Sequence, residues 1–282
     1  MRAFYRIKVK FIQYSMPTNL ILLGTGNALV TRYYNTCFAL QNNNEYFLTD
    51  AGGGNGILAQ LEKAHIAMEN IRSLFLTHGH TDHILGVIWV IRLAASLFVR
   101  GKHPGLTIYC HDECEEKLRA FCRMTLTPKL QAVLDNGVRF IVLKDGDTFQ
   151  AAGINCTAFD IRSTKIKQFG YRATLPGGQT LVCLGDEPYN PLCQPYAQNA
   201  DWLMSEAFCL YGEREQFKPY EKHHSTALDA ARTAQQLNAK HLILYHTQDN
   251  HPAQRKALYT AEAQQAFSGP VYVPEDLETI TL

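Results

Sequence analysis

Several things are scarce in this chain of 282 residues, and each scarcity closes a route. Charge of one sign is missing. With 27 Lys and Arg against 26 Asp and Glu, the net charge of +1 gives no global field toward nucleic acid or anionic lipid. An anionic substrate must therefore be met by a local patch. The eight cysteines form no C-x-x-C pair and show no secretory spacing, which favours reduced thiols in a cytoplasmic protein. No uninterrupted run reaches the ~20 apolar residues of a membrane span. The longest, ILGVIWVIRLAASLFV, is broken by Arg92 and reads as a buried helix, so no membrane partner is expected. The opening MRAFYRIKVKFIQYSM has neither a continuous apolar core nor a small-residue cleavage site, unlike a signal peptide. Residues 1–15 are expected to form an N-terminal extension or an edge strand, because Tyr5, Ile7, Val9 and Phe11 alternate with basic residues. Repeats, low-complexity tracts and linker-like breaks are absent, which predicts a single domain over residues 16–282.

What is there has a β/α rhythm. NLILLGTGNALV predicts a buried strand entering a glycine turn, but no third glycine or helix pattern follows to make a dinucleotide loop. TCFALQNNNEYFLTD alternates about an Asn-rich turn as a hairpin does. A Gly-rich loop and amphipathic helix follow, then the strand IRSLFLTH and a helix from near Asp82. Strand 106–110, helix 112–123, a helical stretch near 128–135 and strand VRFIVL come next. Residues 154–184 are all β, and the remainder returns to strand WLMSEAF, helix 225–237, strand HLILYH, helix 252–266 and strand PVYV. His65, His103, His241 and His251 are expected at the surface or at caps, and Trp202 and Phe208 in the core. Cys110-His111-x-x-Cys114 offers soft metal donors but no distant partner pair, so it reads as a strand end and helix start.

The densest chemistry lies in LFLTHGHTDHILGV, Leu74–Val87. His78 ends a strand. His78 and His80, two apart in extended backbone, can face one metal, whereas Asp82 and His83 open the next helix toward a second point. Asp82 can also cap that helix. The spacing offers ligand pairs to two neighbouring centres rather than four ligands to one.

This H-x-H-x-D-H motif resembles the signature of the metallo-β-lactamase-fold hydrolases, whose α/β fold is a four-layer αββα sandwich of two mixed β-sheets flanked by helices. FLTDAGGG resembles the family's first motif and places Asp50 behind the site. VCLGDEP supplies Asp186, which the resemblance makes a bridging ligand, and LILYHTQDN supplies His246 as the last ligand. The metal set implied is His78, His80, Asp82, His83, Asp186 and His246, holding two divalent ions. Zinc suits the imidazoles, and manganese or iron are compatible with the carboxylates. Within the family, LLGTGNA, SEAF and HHSTALDAARTAQQL are most similar to the ribonuclease Z-like branch. That likeness implies a metal-bound hydroxide acting on a phosphodiester, with His224 and Glu206 paired near the leaving group.

Two departures matter. No histidine occurs between His111 and His223, where similar proteins place a third imidazole on the first metal. That centre is expected to be weak, or to be completed by water or by Ser163, Thr164 or Cys156. The same stretch carries Arg162, Lys165, Lys167 and Arg172, of which Lys165 is expected to meet substrate. The region 111–170 also lacks the Gly/Pro-rich arm with which ribonuclease Z grips transfer RNA. The catalytic residues expected are thus Asp82, His224, Glu206 and Lys165. The function expected is hydrolysis of a small-molecule or nucleic-acid phosphodiester, through ribonuclease Z-like or cyclic-nucleotide phosphodiesterase chemistry. The alternatives are a hydrolase of another ester or thioester, and a metal-binding regulatory protein with a decayed site. A homodimer is compatible with the resemblance.

Overall fold

The computed structural model describes residues 17–282, so the expectation for residues 1–15 lies outside the described residues. Two seven-stranded sheets form the centre. The first contains β1 (Asn19–Gly24), β2 (Cys37–Asn42), β3 (Glu45–Thr49), β4 (Ile71–Phe75), β5 (Leu106–Cys110) and β6 (Val138–Val142), with β14 (Thr279–Thr281) beside β1. The second contains β7 (Thr148–Ala151), β8 (Ile154–Asp160), β9 (Phe169–Thr174), β10 (Thr180–Cys183), β11 (Trp202–Glu206), β12 (His241–Tyr245) and β13 (Val271–Tyr272). Helices α1 (Gly56–Lys63), α2 (Thr81–Val99) and α3 (Asp112–Thr125) cover the first sheet; α7 (Ala227–Gln236) and α8 (Arg255–Ala263) cover the second. Single turns α4 (Pro128–Gln131), α5 (Gln194–Ala197) and α6 (Arg214–Phe217) lie between.

Three apolar seams hold these four layers together. Ile84, Val87, Val90 and Ile91 of α2 meet Leu48, Leu74 and Ile108 of the first sheet. Between the sheets, Phe47, Phe75 and Tyr171 pack ring against ring with Phe149. Ala227, Ala230, Ala231 and Ala234 bring α7 close to Leu203, Leu242 and Leu244. Burial of this apolar surface is the main favourable term in folding. The long helix α2 has enough length and apolarity to cross a membrane, but half of its apolar window is buried inside this fold.

In each sheet four adjacent strands run parallel, β3 to β6 in one and β10 to β13 in the other. Ligand crevices form beyond the carboxyl ends of such strands. Those ends lead to His78, Asp186, Glu206 and His246.

Strands β7 and β14 are not among the expected elements. The helix expected over 225–237 starts at Ala227 because Thr226 caps it, closing a capping box with Asp229. The stretch near 128–135 is a single turn, and the helix expected over 252–266 is confined to Arg255–Ala263. His103 is buried rather than a surface or cap histidine, its Nε2 3.1 Å from the carbonyls of both Met68 and Ile71.

Candidate metal centre

The turn after β4 is shaped by its contacts with the loop after β3. Asp50 has left-handed backbone (φ 55) and accepts from the Thr77 amide through Oδ1 at 2.8 Å. Its Oδ2 accepts from the Thr77 hydroxyl at 2.8 Å and from His83 Nδ1 at 2.7 Å. Because the Thr77 proton goes to Asp50, its hydroxyl oxygen is left to accept from His78 Nδ1, 2.9 Å away. One carboxylate thus orients the imidazoles at both ends of the turn, directing each Nε2 forward. The helix closes on the same loop: the Gly86 amide donates to Gly52 O at 2.8 Å, and a Cβ at Gly86 would stand 1.7 Å from Ala51 O. Only glycine allows that approach.

The six residues named as metal ligands converge. His78, His80 and Asp186 have donor atoms within 4.8 Å of one another, as do Asp82, His83 and His246. Asp186 Oδ2 lies 3.5 Å from His78 Nε2, 3.4 Å from His83 Nε2 and 3.6 Å from His246 Nε2. Asp82 Oδ2 lies 3.4 Å from His83 Nε2 and 3.5 Å from His246 Nε2. These separations are long for hydrogen bonds and suit donors surrounding a common cation. The Nε2 atoms of His78, His83 and His246 are buried and have no hydrogen-bond partner among the described residues. Buried polar atoms rarely stay unsatisfied without a reason. The donor set fits divalent ions.

Electrostatics point the same way. Burial pushes the His78 imidazole well below its ordinary pKa, which favours the neutral form a metal requires. Burial also opposes charge on Asp82 and Asp186, yet the surrounding histidines hold both carboxyls well below the usual range. Burial opposes charge on His83, but Asp82 and Asp50 override it and favour the cation. A field that draws a proton to His83 Nε2 also attracts a metal ion to it.

Beside the cluster, Glu206 at the end of β11 accepts from Ser225 Oγ at 2.7 Å and from the Ser225 amide. Its Oε2 lies 3.6 Å from His224 Nδ1, an ion-pair distance. Burial works against charge on His224, but Glu206 outweighs it and raises its pKa. Phe208 is buried, as expected, yet it has a face at the site: its ring stacks on His224 with centroids 4.6 Å apart.

The four basic residues of the histidine-free stretch divide clearly. Arg162 pairs with Asp145 and Asp160, Lys167 with Asp112, and Arg172 Nη1 donates to Tyr196 O. Lys165, 3.8 Å from Glu187 Oε1, also lines a cavity of about 520 Å³ with His80, Asp186, His224 and His246. Phe217, Lys222, Asn27 and Gln248 line the same cavity and were missed in the sequence, where nothing marks them. The offered replacements for the third histidine are engaged elsewhere. Cys156 lies in the seam between the sheets, Ser163 Oγ donates to Glu187 Oε1 at 2.6 Å, and Thr164 Oγ1 lies 2.8 Å from His223 Nδ1.

Residues 18–267 match the family described as anti-Pycsar protein Apyc1. The chain belongs to the Apyc1 family. It is also 24% identical over 322 aligned residues to a ribonuclease Z of Prochlorococcus marinus subsp. pastoris, covering 93% of this chain and 98% of that protein. Among solved structures, the metallo-β-lactamase fold protein YhfI from Bacillus subtilis superposes with a TM-score of 0.77 at 21% identity, covering 94% of this chain and 99% of that one. The short form of human tRNase Z gives 0.72 at 21% identity, covering 93% and 98%. The Apyc1 family match thus accompanies a metallo-β-lactamase fold and a ribonuclease Z-like sequence, as the four-layer sandwich and H-x-H-x-D-H motif implied.

Proposed function

We propose that this Apyc1-family protein is a metal-dependent phosphodiesterase acting on a small nucleotide phosphodiester, cyclic nucleotides included. The observation that carries this reading is the sharing of Asp186 Oδ2 between two donor clusters at the floor of a cavity of about 520 Å³. A pocket of that size accommodates a nucleotide-sized ligand. His78, His80 and Asp186 would hold one ion, and Asp82, His83, His246 and the shared Asp186 the other. Bound divalent ions supply Lewis-acid charge neutralisation at a phosphoryl oxygen and acidify water.

The chain's own groups do the rest. Lys165 Nζ, restrained 3.8 Å from Glu187 Oε1, meets a non-bridging phosphate oxygen. Asp82 would help hold the second ion, and its carboxylate can orient the attacking water by accepting a hydrogen bond from it. His224, whose protonated form Glu206 favours, donates a proton to the departing oxygen, and Phe208 stacks on its ring. The related ribonuclease Z and tRNase Z names support phosphodiester chemistry. In this chain residues 111–170 form α3, α4, β6, β7, β8 and the start of β9, which supports a small substrate over a gripped transfer RNA.

The test is turnover of bis(p-nitrophenyl) phosphate, cyclic nucleotides and an unstructured RNA in zinc- or manganese-supplemented buffer. Wild type is expected to hydrolyse the first two, and Asp186→Ala to lose about 10³-fold. No turnover of any phosphodiester, or equal turnover by D186A, overturns the reading.

A further inference from the structure

The first cluster brings three donors together among the described residues, one short of a four-coordinate zinc site, and the carboxylate it shares with the second cluster must be held in place. Gln168, 1% exposed and just before β9, is placed to do so. Its Nε2 donates to Asp186 Oδ1 and lies 3.0 Å from His78 Nδ1. Both are rear atoms: the forward atoms, Asp186 Oδ2 and His78 Nε2, face each other 3.5 Å apart. Gln168 therefore backs Asp186 through a hydrogen bond and packs behind His78, whose Nδ1 proton goes to Thr77, without occupying a ligand position itself. The fold makes room for it on the opposite side. Gly185 has φ +82, and a Cβ there would stand 3.1 Å from Gln168 Nε2 and 3.3 Å from its Cδ. The Gln168 carbonyl accepts from the Ile161 amide, and the next residue, Phe169, donates to Thr77 O, so its backbone is tied to both sheets.

We infer that Gln168 is a positioning residue that stands in for the absent histidine ligand by preorganisation. By taking Asp186 Oδ1 as a hydrogen-bond acceptor, it leaves Oδ2 alone to bridge the two clusters. A carboxylate free to rotate would chelate one ion with both oxygens and leave the other short. Groups that orient ligands from behind typically contribute 10–100-fold in metal affinity. The inference rests on the metal-centre reading above.

The experiment compares wild type with Gln168→Met, which keeps the length of the side chain and removes the donor. Metal-free protein is titrated with Zn²⁺ against a chromophoric chelator, and the Co²⁺-loaded forms are compared by visible absorption. Thermal unfolding of the metal-free proteins serves as the structural control. The expected result is a loss of 10–100-fold in affinity for the weaker ion, a smaller loss for the tighter one and an altered Co²⁺ spectrum. The metal-free proteins should unfold at similar temperatures. Should Q168M fail to fold, Gln168→Glu keeps the shape and places a carboxylate against Asp186; the same weakening is expected. Wild-type affinity and spectrum in the folded variant overturn the inference while leaving the metal centre intact. Wild type that takes up no ion overturns the metal-centre reading itself, and this inference with it.

Discussion

Two neighbouring parallel strands end alike and diverge in chemistry. After β4 come His78, His80, Asp82 and His83 and the start of α2; after β5 come Cys110, His111, Cys114 and the start of α3. Both turns place a fully buried imidazole just ahead of a helix. In the second, His111 Nε2 is 3.2 Å from Cys114 Sγ, and Asp112, the nearest carboxylate, is exposed 3.7 Å from Nδ1. Burial, aided by Lys167, lowers the His111 pKa to about 4, while burial raises that of Cys114, leaving a neutral pair. In the first, Asp82 and Asp50 lie alongside, and Asp186 and His246 arrive from the other sheet. Imidazoles at a strand end do not by themselves make a metal centre. What sets the candidate centre apart is its buried carboxylates, one of them delivered from the second sheet.

Removing what the second sheet delivers should have the largest effect. His246→Ala is expected to lose one ion and about 10³-fold in turnover of bis(p-nitrophenyl) phosphate, whereas His80→Ala, at the half-buried rim, loses about 10–100-fold. Elemental analysis alongside kinetics checks this, and equal losses would erase the asymmetry between clusters. Lys165→Ala comes next: KM should rise about tenfold, equivalent to ~1.4 kcal/mol, with metal content unchanged. A change in kcat alone would remove Lys165 from substrate binding.

On turnover, the smallest effect belongs to the turn after β5, which registers in stability instead. His111 titrates at its ordinary 6.5 when unfolded and at about 4 when folded. Between these values the unfolded state binds more protons, so the stabilisation is complete above pH 6.5 and is lost as pH falls toward 4. Urea unfolding at pH 7.5 and pH 5 should show about 2 kcal/mol from this residue. His111→Gln should flatten that difference, and an unchanged slope would place the acid sensitivity elsewhere.

Much of the comparison was legible in the sequence because motifs at strand ends carry their own geometry. H-x-H-x-D-H, Asp186 and His246 each end a buried run, and parallel sheets direct such ends into one crevice. Lys165 was legible only as one of four similar cations, because Asp145, Asp112 and the Tyr196 carbonyl, which engage Arg162, Lys167 and Arg172, lie far away in sequence or on the backbone. Gln168 carried no signal. A lone amide before a strand gains meaning only when folding brings Gly185 and Asp186 behind it. Strands β7 and β14 were not legible, and β14 owes its place to pairing with β1.

The position of the cluster on the seam between the sheets also bears on how the molecule comes to life. His78, His80, Asp82 and His83 are synthesised about a hundred residues before Asp186 and more than a hundred and fifty before His246. A chain emerging from the ribosome therefore carries four donors well before it can assemble a closed site. Ion capture has to wait for the contacts of longest sequence separation, which form late because chain closure must come first. Gly26 bridges to Thr247, and Arg255 reaches both Thr25 and Thr247, so the two ends of the chain latch directly beside His246. In the proposed reading, hydrolytic competence therefore requires contacts that span nearly the full length of the described chain.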